Sequence, residues 1–406
     1  MTESLGIVSS AGPDADPSVP AVLLGLGVIA RSQYQAVQSV ALLERARGAL
    51  EAKHQQSSAL YVQVLGALAL SYQDANRPQD ALNLGRYSMT LGKTQTRQDG
   101  PEYLEALEQF GSVMSNLDHD AEAVVAFHRV VAGYLELFGP ESRRTLQAQG
   151  DYAICLMALG HFREAQESAE AALAGERRVD RPESPAYIEA ARRVGRILFY
   201  RGAYEAALPL LRETYRLAHS GNPPADLDGI ASGYDLARPL LYLGRFAEAR
   251  ELLKAELPAD KTDAYAKYMR AMRTRWLGEL EMQAGNLVDA ERLLSEAERQ
   301  FGGFKSADGS VLVKVRESHG WLLNLQGRHA QAAAQLQQVS DAYGKMYPAD
   351  SAYVQIANVH RAAVLLTLNQ KEAARKLLKG AKSVVEDELV PGAEARTLYA
   401  QMTGSL

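Results

Sequence analysis

The sequence predicts an all-α fold of about eight stacked helix-turn-helix repeats, and three observations predict it. An octet such as "ALGHFREA" (158–165) returns at a nearly constant interval, its last alanine falling at Ala81, Ala123, Ala165, Ala207, Ala249, Ala290, Ala332 and Ala374. The step is 42 residues six times and 41 once, between Ala249 and Ala290. A residue that tolerates left-handed backbone precedes each alanine at a fixed offset: Asn76, Asp118, Gly160, Gly202, Gly244, Gly285, Gly327 and Asn369. A second small column runs earlier still, through Ala69, Gly111, Ala153, Gly195, Ala237, Gly278, Gly320 and Ala362. Periodicity of this kind marks a solenoid in which one repeat cannot bury its apolar stripe alone and stability comes from stacking.

The elements follow in order. Residues 1–20, rich in Ser, Pro, Asp and Gly, are expected to be a disordered N-terminal segment. Residues 21–56 are helical in pattern but fit the repeat poorly, as an N-terminal cap or a degenerate repeat would. The eight repeats occupy 57–389. In the third, "TLQAQGDYAICLMAL" (145–159) is an amphipathic first helix ended by Gly160, and "FREAQESAEAALAGERR" (162–178) is the second. Polar, Pro-containing connectors such as "FGPESRR" and "RPESPA" stop one helix and start the next. Residues 390–406, with "PGAEARTLYAQM", are expected to form a capping helix and tail. Glycine inside a helix costs about 1 kcal/mol relative to alanine. Four of the eight repeats carry it in the first helix, which implies close approach of the paired helices there.

Composition narrows the function. The chain has 406 residues, 47% hydrophobic and 23% charged, with a formal charge of −5, which argues against a dedicated nucleic-acid binder. A single cysteine, Cys155, rules out an intrachain disulfide and fits a reducing compartment. The apolar stretch "VPAVLLGLGVIA" (19–30) is too short to span a bilayer, and the residues before it carry no Lys or Arg, unlike a secretory signal. No membrane association and a cytoplasmic location are therefore the expectation. The Arg-heavy basic set, 32 Arg against 12 Lys, points to a GC-rich bacterial genome.

Catalytic and cofactor motifs are lacking. "GLGVIA" (25–30) matches the dinucleotide-binding fingerprint in letters, but that motif needs a strand before it and a helix after it, and the pattern around it offers no strand. The eight histidines form no metal-ligand spacing, and there is no phosphate-binding loop or nucleophile elbow. Glu279 and Glu281, two apart on a helix, point to different faces. The chain is read as a non-enzyme with no catalytic, metal or cofactor site.

The order of small residue, turn residue, aromatic and alanine resembles the tetratricopeptide repeat. The 42-residue period and connectors like "LFGPESRRTL" resemble the kinesin light chain type of that repeat. The resemblance implies a right-handed superhelical solenoid whose first helices line a concave groove. It departs from the family where paired asparagines are favoured: here stand Gly150–Asp151, Arg192–Arg193 and Tyr234–Asp235. The first repeat has Pro78, and the eighth Lys371, at the turn aromatic.

On the family's pattern the groove-facing places lie about 13, 10, 6 and 3 residues before the turn residue. They are mostly neutral in the first and third repeats. The second carries Glu105, Glu108, Ser112 and Ser115. From the fourth repeat the character changes to Glu189, Arg192, Arg196 and Phe199, then Tyr234, Arg238 and Leu241, then Arg275 and Glu279. The 41-residue step makes Trp276 as good a groove residue as Arg275. Arginine offers a planar fork for a carboxylate, and aromatic neighbours supply flat apolar contact. Arg192, Arg196, Phe199, Tyr200, Tyr234, Arg238, Arg275 and Trp276 are thus the candidate partner-binding residues, for a protein or peptide with an acidic segment or C-terminus. An internal network pairing these arginines with Glu189, Asp235 and Glu279 is the competing reading. The expected function is a non-catalytic interaction scaffold or adaptor that binds a partner in its groove. The alternative is a sensory or regulatory repeat module acting with a separate signalling enzyme or transcription factor. Oligomeric state is not written in the sequence.

Overall fold

A computed structural model describes residues 18–405 except 34, 96–99, 221–226, 256, 258–263 and 304–308. Most of the N-terminal segment expected to be disordered lies outside the described residues. Among the described residues every regular element is a helix. The chain divides into two compact units, Met1–Cys155 and Leu156–Leu406.

The N-terminal unit contains α1 (Val19–Ser32), α2 (Ala36–Ala52), α3 (Ala59–Asp74), α4 (Pro78–Gln95), α5 (Pro101–Asn116), α6 (Asp120–Phe138) and most of α7 (Arg143–Leu159). The C-terminal unit contains α8 (Phe162–Val179), α9 (Pro185–Tyr200), α10 (Tyr204–Ala218), α11 (Leu227–Tyr242), α12 (Phe246–Lys254) and α13 (Ala264–Gln283). It continues through α14 (Leu287–Gly302), α15 (Gly309–Leu325), α16 (His329–Met346), α17 (Ala352–Thr367), α18 (Lys371–Glu388) and α19 (Glu394–Ser405). Helices consecutive in the chain pack together from α1 to α6 and from α8 to α19, and successive first helices (α3 on α5, α9 on α11, α11 on α13) also touch.

The three columns explain these elements. All eight turn residues adopt positive φ, from 58° at Asn76 to 84° at Gly160. All eight column alanines have no exposed surface. Each glycine of the small column faces the large side chain one helical turn past the alanine. A Cβ on Gly111 would lie 2.9 Å from Phe127, on Gly195 2.6 Å from Leu211, on Gly278 2.9 Å from Leu294, and on Gly320 2.9 Å from Leu336. The missing side chain thus makes room for a bulky residue that plugs the helix pair. Two helix starts are capped by a connector serine: Ser58 and Ser184 accept from the backbone N–H of Tyr61 and Tyr187.

The helix pair α1–α2 follows the same register. Ser39 stands 42 residues before Ala81 and is fully buried, and Gly27 stands 42 before Ala69. A Cβ on Gly27 would lie 2.6 Å from Leu43, the same plug seen in the repeats proper. Ser39 replaces the alanine and spends its hydroxyl on the Gly27 carbonyl at 2.8 Å and the Ser71 hydroxyl at 2.8 Å. The letters "GLGVIA" lie on α1, with no strand beside them among the described residues. No helix among the described residues is long and apolar enough to cross a membrane.

The C-terminal unit closes on itself. The Ala352 N–H, at the start of α17, donates to the Gly160 carbonyl at 3.2 Å, and the Tyr353 hydroxyl donates to the Met157 carbonyl at 3.2 Å. The Arg163 N–H donates to Glu388 Oε2 at 2.7 Å, Arg201 Nε donates to the Glu388 carbonyl at 3.1 Å, and the Val390 N–H donates to the Arg201 carbonyl at 2.9 Å. Phe162 meets Tyr353 edge-on at 5.3 Å and stacks on Tyr200 at 5.7 Å. The last repeats therefore rest against the turns at Gly160 and Gly202, and the first helices between them line a central cavity.

Candidate functional site

The cavity wall is built from first helices. Phe199 and Tyr200 end α9, Tyr242 ends α11, Arg275, Trp276 and Glu279 lie on α13, Lys314, Glu317 and Trp321 on α15, and Tyr353 and His360 on α17. Glu394, at the start of α19, borders it as well. The cavity has a volume of about 150 Å³ and is partly open to solvent.

The eight candidate residues sort into three groups. Arg192 and Arg196 lie on α9 with partly exposed side chains around Asp235: Arg192 Nε is 3.7 Å and Arg196 Nε 3.9 Å from the carboxylate, and Arg192 is also 3.3 Å from Glu189. Arg238 reaches the same carboxylate at 2.8 Å but is buried, its guanidinium 4.4 Å from the centre of Phe199, 4.9 Å from Trp276 and 5.0 Å from Tyr200. Its Nε and Nη2 have no hydrogen-bond partner among the described residues, and ring faces are its main surroundings. Arg275 is buried and pairs with Glu279 at 2.8 Å, while resting 4.5 Å over Trp276. Phe199, Tyr200, Arg275 and Trp276 thus share the cavity wall, and both residues of the uncertain register face it. Tyr234 stands apart from the cavity: it is 4% exposed and its hydroxyl donates to the Ala255 carbonyl at 3.0 Å, tying α11 to the end of α12.

Electrostatics divide the wall. Burial pushes the Tyr200 phenol up, but Arg238, Lys314, Arg275 and Arg196 outweigh it and bring it down to about 8. Burial, with Glu279 and Glu394 adding to it, holds the Tyr242 phenol well above its ordinary value. Glu394 is itself pushed up by burial, against the opposing effect of His360. The surroundings of Tyr200 are thus mainly cationic and those of Tyr242 mainly anionic.

Lys314, Glu317, Trp321, Tyr353 and His360 were not among the sequence candidates. The signal for the first three was present: counting 13, 10 and 6 residues back from Gly327 lands on Lys314, Glu317 and Trp321. The part played by Tyr353 and Glu394 depends on closure and has no local signature.

The N-terminal unit carries a different surface at the equivalent places. Gln63 donates to Glu105 at 2.9 Å, and the Tyr134 hydroxyl donates to Glu108 at 2.9 Å. Burial pushes Glu108 up to about 7, with Asp151 and Glu105 adding to the effect and the Tyr134 bond opposing it.

No family model matches the chain, and no curated protein matches it in sequence. Solved structures do resemble it. The apo form of RapI is 10% identical with a TM-score of 0.50, over 70% of this chain and 99% of that one. A Rap protein complexed with competence and sporulation factor is 13% identical with a TM-score of 0.45, over 91% and 98%. A putative kinesin light chain with nearly identical TPR-like repeats, from Podosopora anserina, is 22% identical with a TM-score of 0.43, over 53% and 97%. These likenesses concern the fold. With the turn, alanine and glycine columns in register and a helical-repeat neighbour at this level of similarity, the chain has the tetratricopeptide-type repeat fold.

Proposed function

We propose that the chain is a non-catalytic interaction scaffold that holds an acidic segment or C-terminus of a partner protein on the arginine face of its C-terminal unit. One observation carries this reading. Among the described residues Arg192, Arg196 and Arg238 all converge on the one carboxylate of Asp235, with Glu189 beside Arg192, so three guanidinium groups meet two carboxylates there. Arg192 and Arg196 are the accessible members of this cluster, with side-chain exposures of 20% and 27%. A planar guanidinium already oriented by a carboxylate loses little freedom when it takes a second one. Arg238 serves as the buried base of the cluster rather than as a contact.

The test is selection from a displayed peptide library with free carboxyl ends, on wild type and on Arg192→Glu/Arg196→Glu, with equal helicity shown by circular dichroism. Enrichment of Asp, Glu or a terminal carboxylate with wild type, lost in the variant, supports the reading. Wild-type binding should also fall with added salt more steeply than any residual binding of the variant. Identical selections from both proteins overturn it. The alternative of a sensory or regulatory module acting with a separate signalling enzyme or transcription factor is favoured by the cavity of about 150 Å³, which is the size of a small ligand.

A further inference from the structure

The two poles of the cavity point to a ligand that carries both charges. At the anionic pole Glu279 is 2% exposed. Its Oε1 accepts from Arg275 Nε at 2.9 Å and from the Ser318 hydroxyl at 2.8 Å, whereas its Oε2 is buried without a hydrogen-bond partner among the described residues. A buried carboxylate oxygen left unpaired costs free energy that a donor entering the cavity would recover. Tyr242 and Trp276 both line the cavity and pack against Phe199, at 5.6 and 6.0 Å. Aromatic faces beside a carboxylate suit an ammonium group.

At the cationic pole Lys314 Nζ lies 4.2 Å from the centre of the Tyr353 ring and 5.7 Å from that of Tyr200. Among the described residues it makes no ion pair. Glu317, on the same helix, is already taken by the Tyr343 hydroxyl at 3.0 Å and His360 Nδ1 at 2.9 Å. Phe199 bridges the poles, at 5.3 Å from Tyr200 and 5.6 Å from Tyr242.

A simple cation would satisfy Glu279 and leave Lys314 against rings. A simple anion would satisfy Lys314 and face Glu279, Glu317 and Glu394. About 150 Å³ is room for a small molecule the size of a single six-membered ring. We propose that this cavity binds a small zwitterion of the free amino acid class, with the ammonium on Glu279 Oε2 beside Trp276 and Tyr242 and the carboxylate on Lys314 Nζ and the Tyr200 hydroxyl. The site is independent of the acidic-segment reading, because Arg192 and Arg196 are not part of its wall.

The chain has two tryptophans, Trp276 and Trp321, and both line the cavity. Intrinsic fluorescence therefore reports on it directly. The full chain is titrated with each of the common free L-amino acids, and then, for any that binds, with its decarboxylated amine and its deaminated acid. For leucine these are 3-methylbutylamine and 4-methylpentanoate. The expected result is a saturable change with at least one amino acid and at least tenfold weaker binding of both one-charge analogues. Lys314→Met should weaken the amino acid at least tenfold and leave the amine unchanged. Glu279→Gln should weaken the amine instead, and Lys314→Met keeps the test decisive where loss of the Arg275 pair unfolds that variant. Arg192→Glu should bind the amino acid as wild type does, whether or not it has lost the acidic segment. No saturable response to any amino acid, an amine or an acid that binds as tightly as the zwitterion, or an affinity unaltered by Lys314→Met would each overturn the proposal.

Discussion

Replacing Gly202 by alanine separates closure of the C-terminal unit from the ordinary cost of its turn. Gly202 and Gly244 have nearly the same backbone, with φ of 78° and 72°. Left-handed backbone costs an alanine about 1–2 kcal/mol, and a stiffer unfolded chain returns roughly 0.5 kcal/mol of that. Gly244→Ala should therefore lose about 1 kcal/mol, since a Cβ there meets nothing within 4 Å. At Gly202 the new Cβ would lie 2.3 Å from the Ala393 Cβ and 2.6 Å from its Cα, so backbone has to move. Overpacking of this kind costs about 1–3 kcal/mol. Displacing the segment also endangers the Val390-to-Arg201 bond, worth about 1 kcal/mol. The difference between the two variants should be about 2–4 kcal/mol. For a unit of this size each kcal/mol moves the melting temperature by about 2–4 °C. Calorimetry should place the C-terminal transition of Gly202→Ala roughly 4–16 °C below that of Gly244→Ala. Equal melting temperatures would refute the reasoning, because the turn penalty alone would then explain both.

Three further outcomes follow from the packing and the charges. Glu108→Gln keeps an acceptor for Tyr134 and removes a buried charge; because the folded group titrates near 7, above its ordinary 4.5, its stabilising protonated form is lost as pH rises through 7. The variant should accordingly be more stable than wild type at pH 8, by at most about 3 kcal/mol, and no more stable at pH 4.5, as read by denaturant titration at the two pH values. Gly195→Ala should cost about 1–3 kcal/mol through Leu211, and Gly195→Ala/Leu211→Ala should cost less than the two single changes added together, which a double-mutant cycle measures. His360 is held above its ordinary value because Glu317, 2.9 Å away, outweighs burial. The stability this pair adds is full below the unfolded value near 6.5 and is lost as pH rises through the raised one, so Glu317→Gln should flatten the pH dependence of melting above pH 6.5.

Most of the fold is legible in the sequence because each repeat is governed by contacts within about 42 residues. The positive φ at Asn76, Asp118 and Asn369, not only at the glycines, shows that the turn column was a backbone requirement that three residue types can meet. The glycine column was readable as close approach, but not the partner, since Leu211, Leu294 and Leu336 are ordinary leucines until the helices pair. Ser39 hid the register of the first helix pair by replacing an alanine with a hydroxyl that needs its own partners. The site was only half legible. Phe199, Tyr200, Arg275 and Trp276 share the cavity wall, whereas Arg238 is buried beneath it and Tyr234 is turned toward Ala255. Closure joins residues nearly 190 positions apart through single hydrogen bonds such as Arg201 to Glu388, and no periodicity announces a contact of that kind.

Closure of the C-terminal unit underlies the cavity and everything proposed for it, and amide hydrogen exchange at Val390 and Ala352 tests it most directly. Val390 lies in a connector, and Ala352 is the first residue of α17, a place whose N–H has no partner within its own helix. Their donors go to the carbonyls of Arg201 and Gly160. With the unit closed, both amides exchange as slowly as those inside neighbouring helices, at least a hundredfold below the rate of an unstructured chain. Exchange of both at the unstructured rate, while the interiors of α17 and α18 stay protected, would show an open repeat array and contradict the central cavity.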